Sequence, residues 1–160
     1  MAKIEYPKCG LYRTSRAHPE RTTAVPAGRL VYFHNHSDSG EPVVLLPQKN
    51  TSNKWAFQTK GYLVKDTTWP ASLVALKGEG FYRLGEPLRT GANGLIPAGE
   101  LVQLGYNGDG AAIGFFAAYD AERNALTFSP KGAKLGERTY DRLEAVSIGG
   151  PGAKKAPEPS

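Results

Sequence analysis

In the stretch Arg29–His34, Val31 and Phe33 alternate with Tyr32 and His34, the two-residue period of a strand with one buried face. The stretch Glu100–Gly105 repeats the pattern, with Val102 and Leu104 inward. On this reading Tyr32, His34, Gln103 and Gly105 face outward. Pro-Ala-Gly precedes both stretches, at 26–28 and 97–99, as a tight turn feeding the strand. HSDSG and NGDG follow as hairpin turns, because Asn-Gly and Asp-Gly supply the positive φ of a tight reversal. Leu11–Thr14 reads as a first strand. Val43–Leu46 and 114–117 read as further strands, and Trp55 with Phe57 matches Leu126 with Phe128 as an inward pair. Ala71–Leu76 and Arg142–Val146 each read as one short helical turn. Four or five short strands per half predict an all-β fold.

These matches belong to a longer one. Residues 25–64 align without a gap on 96–135, and ten of the forty pairs are identical. Unrelated segments share about two or three at ordinary residue frequencies. The match extends back as Gly10-Leu11-Tyr12-Arg13 on Gly80-Phe81-Tyr82-Arg83. It extends forward as Leu73-Val74-Ala75-Leu76 on Leu143-Glu144-Ala145-Val146. The expectation is a lead-in at 1–9, tandem copies at 10–79 and 80–149, and a disordered tail at 150–160, which has no large apolar residue to anchor it. A unit of 70 residues is marginal alone, so the two duplicated β-barrel or sheet units are expected to pack together.

The order Leu-Tyr-Arg-Thr, loop, Val-Pro-Ala-Gly-Arg-Leu-Val-Tyr-Phe, turn, strand, turn, Gly-Tyr-Leu-Val resembles that of bacterial SH3-like barrels. That family begins with a short strand bearing an arginine and places a Pro or Lys-Gly turn before its second main strand. The resemblance covers most of each copy and implies a small barrel in each.

Composition narrows the class further. At 160 residues, 40% hydrophobic and 22% charged, the chain is of ordinary globular make-up, and no apolar run is long enough to cross a membrane. The N-terminus lacks the apolar stretch of a secretory signal, and a lone Cys9 can neither close an internal disulfide nor supply a cysteine zinc site. A reducing, cytoplasmic setting is expected. The net charge of +5 is uneven: copy one has nine Lys and Arg against five acids, copy two seven against eight.

His34-x-His36-x-Asp38 places two imidazoles and a carboxylate on one side of an extended strand, a pattern that suits a metal-dependent hydrolase. The matching positions in copy two are Gly105, Asn107 and Asp109, which reduces the pattern to turn chemistry. Cys9 has no partner repeated in the second copy, and the glycine-rich segments lack phosphate-loop spacing. The expectation is therefore a non-enzymatic binding or assembly module, without cofactor, that takes a protein partner or self-associates. Its ligand-binding residues are Arg16, Arg21, Tyr32, His34, His36 and Trp69, in the basic copy. Nucleic-acid binding through the same copy is the first alternative. Metal-dependent hydrolysis at His34, His36 and Asp38 is the second.

Overall fold

Strand β1 (Gly10–Arg13) pairs antiparallel with β2 (Leu30–His34), Gly10 lying across from Phe33 and Arg13 from Leu30. The computed structural model to which these elements belong describes residues 3–91 and 93–147. The tail expected at 150–160 lies outside the described residues. β3 (Val43–Leu45) continues the sheet beyond β2, and β4 (Pro47–Thr51) and β5 (Lys54–Phe57) form a hairpin folded over it. β6 (Tyr62–Leu63) and β7 (Val74–Ala75) are the sheet's two edges, giving the order β6-β3-β2-β1-β7.

The second half runs through β8 (Gly80–Arg83), a hairpin of β9 (Leu88–Thr90) and β10 (Gly94–Ile96), and β11 (Leu101–Tyr106). β12 (Ala112–Asp120), β13 (Ala125–Phe128), β14 (Ala133–Lys134), helix α1 (Glu137–Asp141) and β15 (Glu144–Ala145) follow. The order is β13-β12-β11-β8-β15, with β14 also on β12. The fold is all-β, and among the described residues no helix is long and apolar enough to cross a membrane.

Several shared residues have visible work. Gly28 and Gly99 both hold positive φ, +73° and +87°, in the turns feeding β2 and β11. Tyr12 donates its hydroxyl to the Lys8 carbonyl at 2.7 Å, and Tyr82 donates to Gly78 at 2.6 Å, each four residues back. Asn53 and Asn124 both sit at positive φ just before the returning strand.

The structure corrects the predicted helical turns. In the first half the turn is a 3-10 helix, Trp69–Ser72, and Val74–Ala75 is a strand on β1. Pro70 starts the turn where no N–H is needed, and the Asp66 carboxylate accepts the N–H groups of Thr68 (2.7 Å) and Trp69 (2.8 Å). In the second half α1 ends at Asp141, and Glu144–Ala145 pairs with β8.

Two apolar clusters form the interior. One holds Tyr12, Val25, Val31, Phe33, Val44, Leu46, Val64, Trp69 and Leu73, all from the first half. The other holds Leu84, Val102, Leu104, Tyr106, Leu135 and Leu143, together with a fully buried Leu30; Leu11, Trp55, Phe57 and Leu76 pack against its edge. The first half therefore completes the core of the second.

Candidate functional site

Alternation along β2 sends Val31 and Phe33 to the first core and Leu30, Tyr32 and His34 to the opposite face. Leu30 enters the second core. Tyr32 and His34 instead reach a groove of about 1160 Å³ that the β4–β5 hairpin walls on one side. Leu11, Val43, Leu45, Trp55 and Phe57 supply its apolar lining, and Asp38, Lys54 and Glu79 stand among its charged residues. Four rings run in a row: Phe57 to Tyr32 (5.6 Å between centroids), Tyr32 to His34 (4.7 Å) and His34 to His36 (5.8 Å).

The outward placement expected for His34 is wrong. Its residue is only 8% exposed, with the Tyr32 and His36 rings packed on either side of it at the groove wall. Burial first, and then the neighbouring His36, push the His34 imidazole below the ordinary histidine value. Burial raises the Glu79 carboxyl above its usual value, against the opposing pull of the Trp55 N–H (2.9 Å) and Lys54.

Of the six residues proposed as ligand-binding, the fold brings Tyr32, His34 and His36 together. Trp69 is 2% exposed, inside the first core, and donates its Nε1 to the Arg16 carbonyl at 3.0 Å. An indole so placed is a structural anchor and offers no stacking surface. Arg16 is exposed. Arg21 lies over the Tyr62 ring (5.8 Å) at a separate, smaller depression. The third histidine, His18, is buried with Nε2 facing the Leu63 carbonyl at 3.0 Å and Nδ1 accepting the Glu20 N–H at 3.1 Å.

The fold also assembles a group that the sequence did not reveal. Since Gly10 pairs with Phe33, Cys9 falls across from His34, one step beyond the ladder, with His36 on the diagonal. The ligand atoms of Cys9, His34 and His36 all lie within 4.8 Å of one another. Cys9 Sγ is 3.7 Å from His36 Nδ1. Asp38, the carboxylate of the sequence pattern, is exposed and stands outside this group. No sequence motif joins position 9 to 34 and 36; only the strand register does.

Asn35 lies between these groups. Its N–H donates to Cys9 Sγ at 3.4 Å, its Oδ1 is 2.9 Å from His36 Nδ1, and its Nδ2 donates to the Pro7 carbonyl at 3.3 Å. This geometry is poor for a thiol nucleophile. A general-base imidazole needs one nitrogen toward the thiol and the other held by an orienting group. Here thiol and amide oxygen both face Nδ1. No family model, curated protein or solved structure matches the chain.

Proposed function

We propose that the protein is a non-enzymatic binding or assembly module, built from two SH3-like repeats, that holds an extended segment of a protein partner in the first-half groove. The carrying observation is the row Phe57–Tyr32–His34–His36 along that groove. Flat rings over an apolar floor stack on peptide planes and apolar side chains at little entropic cost. The repeat reading draws support from matching registers: Tyr12 pairs with Val31 and Ala75, and Tyr82 with Val102 and Ala145.

The groove's charge weighs against nucleic acid as its ligand. Asp38 and Glu79 line it beside Lys54, while Arg16 and Arg21 are not among its lining residues. A polyanion is bound through concentrated positive charge, and the excess carried by this half is not concentrated here.

Selection from a displayed library of extended peptides tests the reading. Enriched peptides are expected to bind the parent and to lose most of their affinity to Tyr32→Ala and Phe57→Ala, each ring being worth about 1–3 kcal/mol. Enrichment insensitive to both substitutions, or salt-sensitive retention on single-stranded RNA with no peptide selected, overturns it.

A further inference from the structure

We propose that Cys9, His34 and His36 form a binding site for a borderline-soft divalent metal ion of the zinc type at one end of the groove, with Asn35 Oδ1 at the fourth corner. The donor set is one thiolate sulfur, two imidazole nitrogens and an amide oxygen. Sulfur and imidazole suit zinc and disfavour calcium and magnesium, which take oxygen shells.

The spacing argues for this more than the composition does. With Zn–S and Zn–N bonds of about 2.3 and 2.0 Å, a tetrahedral site has S···N edges of about 3.5 Å and N···N edges slightly shorter. Cys9 Sγ to His36 Nδ1 measures 3.7 Å, and Cys9 Sγ to Asn35 Oδ1 measures 3.4 Å. Asn35 Oδ1 to His36 Nδ1 is 2.9 Å, and the three Cys and His ligand atoms close within 4.8 Å. The two sulfur edges therefore stand near metal-bound lengths, the Asn35–His36 edge has to open slightly, and the His34 nitrogen has to move in from within 4.8 Å of the Cys9 and His36 ligand atoms.

The backbone holds these groups. Cys9 is fixed by the β1–β2 pairing that starts at Gly10, His34 by its place in β2, and Asn35 by its bond to Pro7. Binding breaks the Cys9 S–H bond and forms the metal–sulfur bond, and that proton goes to solvent. The His36 Nδ1 that faces the Asn35 Oδ1 gives up its proton to solvent as Nε2 takes one, a tautomer exchange with no net proton change that turns the Nδ1 lone pair to the metal. Each ion bound thus releases one proton.

This site shares His34 and His36 with the ring row of the peptide groove but does not need a peptide in it, since the groove can take a peptide with or without an ion at its end. The test is calorimetric titration of the intact chain with zinc chloride in two buffers of different ionisation heat, with cobalt(II) absorption as a second readout. Expected are one ion per chain, one proton released, and a thiolate-to-cobalt charge-transfer band. Cys9→Ser and His36→Ala alter exposed residues and are expected to keep the fold by circular dichroism. Each is expected to lower zinc affinity by about 100-fold or more, since even loss of an outer partner costs 10–100-fold. Cys9→Ser should also abolish the band, and Asp38→Ala should leave affinity unchanged. No zinc heat, or binding unaltered by Cys9→Ser and His36→Ala, overturns the proposal, as does binding lost with Asp38→Ala. Peptide selection repeated with and without zinc keeps the two readings separate.

Discussion

The indole Nε1 of Trp55 donates to the backbone carbonyl of Tyr106 at 2.7 Å, tying the β4–β5 hairpin to the end of β11 in the other half. Asn53 Nδ2 donates to Gln103 Oε1 at 2.9 Å, and Gln103 Nε2 donates to the Ser52 carbonyl at 3.0 Å. Trp55→Phe keeps most of the ring but leaves the Tyr106 carbonyl without this donor. The expected cost is about 1–3 kcal/mol, read as a lower urea midpoint at unchanged slope.

Leu30 gives a second prediction about the same joint. It is a first-half residue, fully buried among second-half side chains, and its N–H donates to the Gly108 carbonyl at 2.9 Å. Leu30→Ala is expected to destabilise the chain by about 2–5 kcal/mol. The unfolding curve should stay a single transition, coincident by tryptophan fluorescence and circular dichroism. Trp69 lies in the first core and Trp55 packs against the second, so fluorescence follows both cores while circular dichroism follows the strands of both halves. Separated transitions would show that the halves unfold on their own.

Much of the fold was legible because short-range chemistry fixes it. Alternation at Val31, Phe33, Val102 and Leu104 named four residues that are all fully buried. The glycine turns at 28 and 99 lie where expected. What alternation cannot tell is what lies on the other face of a strand. His34, expected on the outer face because its counterpart is Gly105, is instead covered by its neighbours at the groove wall, the Tyr32 and His36 rings among them. Length differences also hid a shift. Val44 pairs with Phe33, but Gly114, not Phe115, pairs with Leu104, so the second hairpin is one residue shorter. The four residues 121–124 then connect Asp120 to Ala125, where Ser52-Asn53 alone connect Thr51 to Lys54. The Cys9 cluster was hidden for a different reason, because it depends on the register of two strands separated by a loop.

The Lys-Gly pair shared at 60–61 and 131–132 yields a packing prediction. A Cβ on Gly61 would collide with the Val44 carbonyl and with the side chains of Leu45 and Val43. The obstacle includes backbone, which cannot swing aside as a side-chain tip can. Gly61→Ala is expected to cost about 1–3 kcal/mol or more by forced displacement of β3. At Gly78 the same Cβ meets open space, and Gly78→Ala should be neutral or stabilise by up to about 1 kcal/mol through the unfolded chain. Thermal melts of the two variants, compared with the parent, measure the contrast.

Glu79 gives the pH dependence. Its carboxyl is raised above its ordinary value of 4.5, burial outweighing the Trp55 N–H and Lys54. A raised folded value means that the folded chain holds the proton more tightly than the unfolded chain does. The group's favourable contribution is therefore complete below the unfolded value and is lost as pH rises through the higher folded one. Above that window the folded protein bears a partly desolvated carboxylate. Glu79→Gln removes the titration and keeps a side-chain oxygen able to accept the Trp55 N–H. Its melting temperature relative to the parent should rise in favour of the variant between pH 4 and pH 7. A difference that is flat across this range would show that the Trp55 and Lys54 interactions balance burial, and one that falls that they outweigh it, and either overturns the prediction.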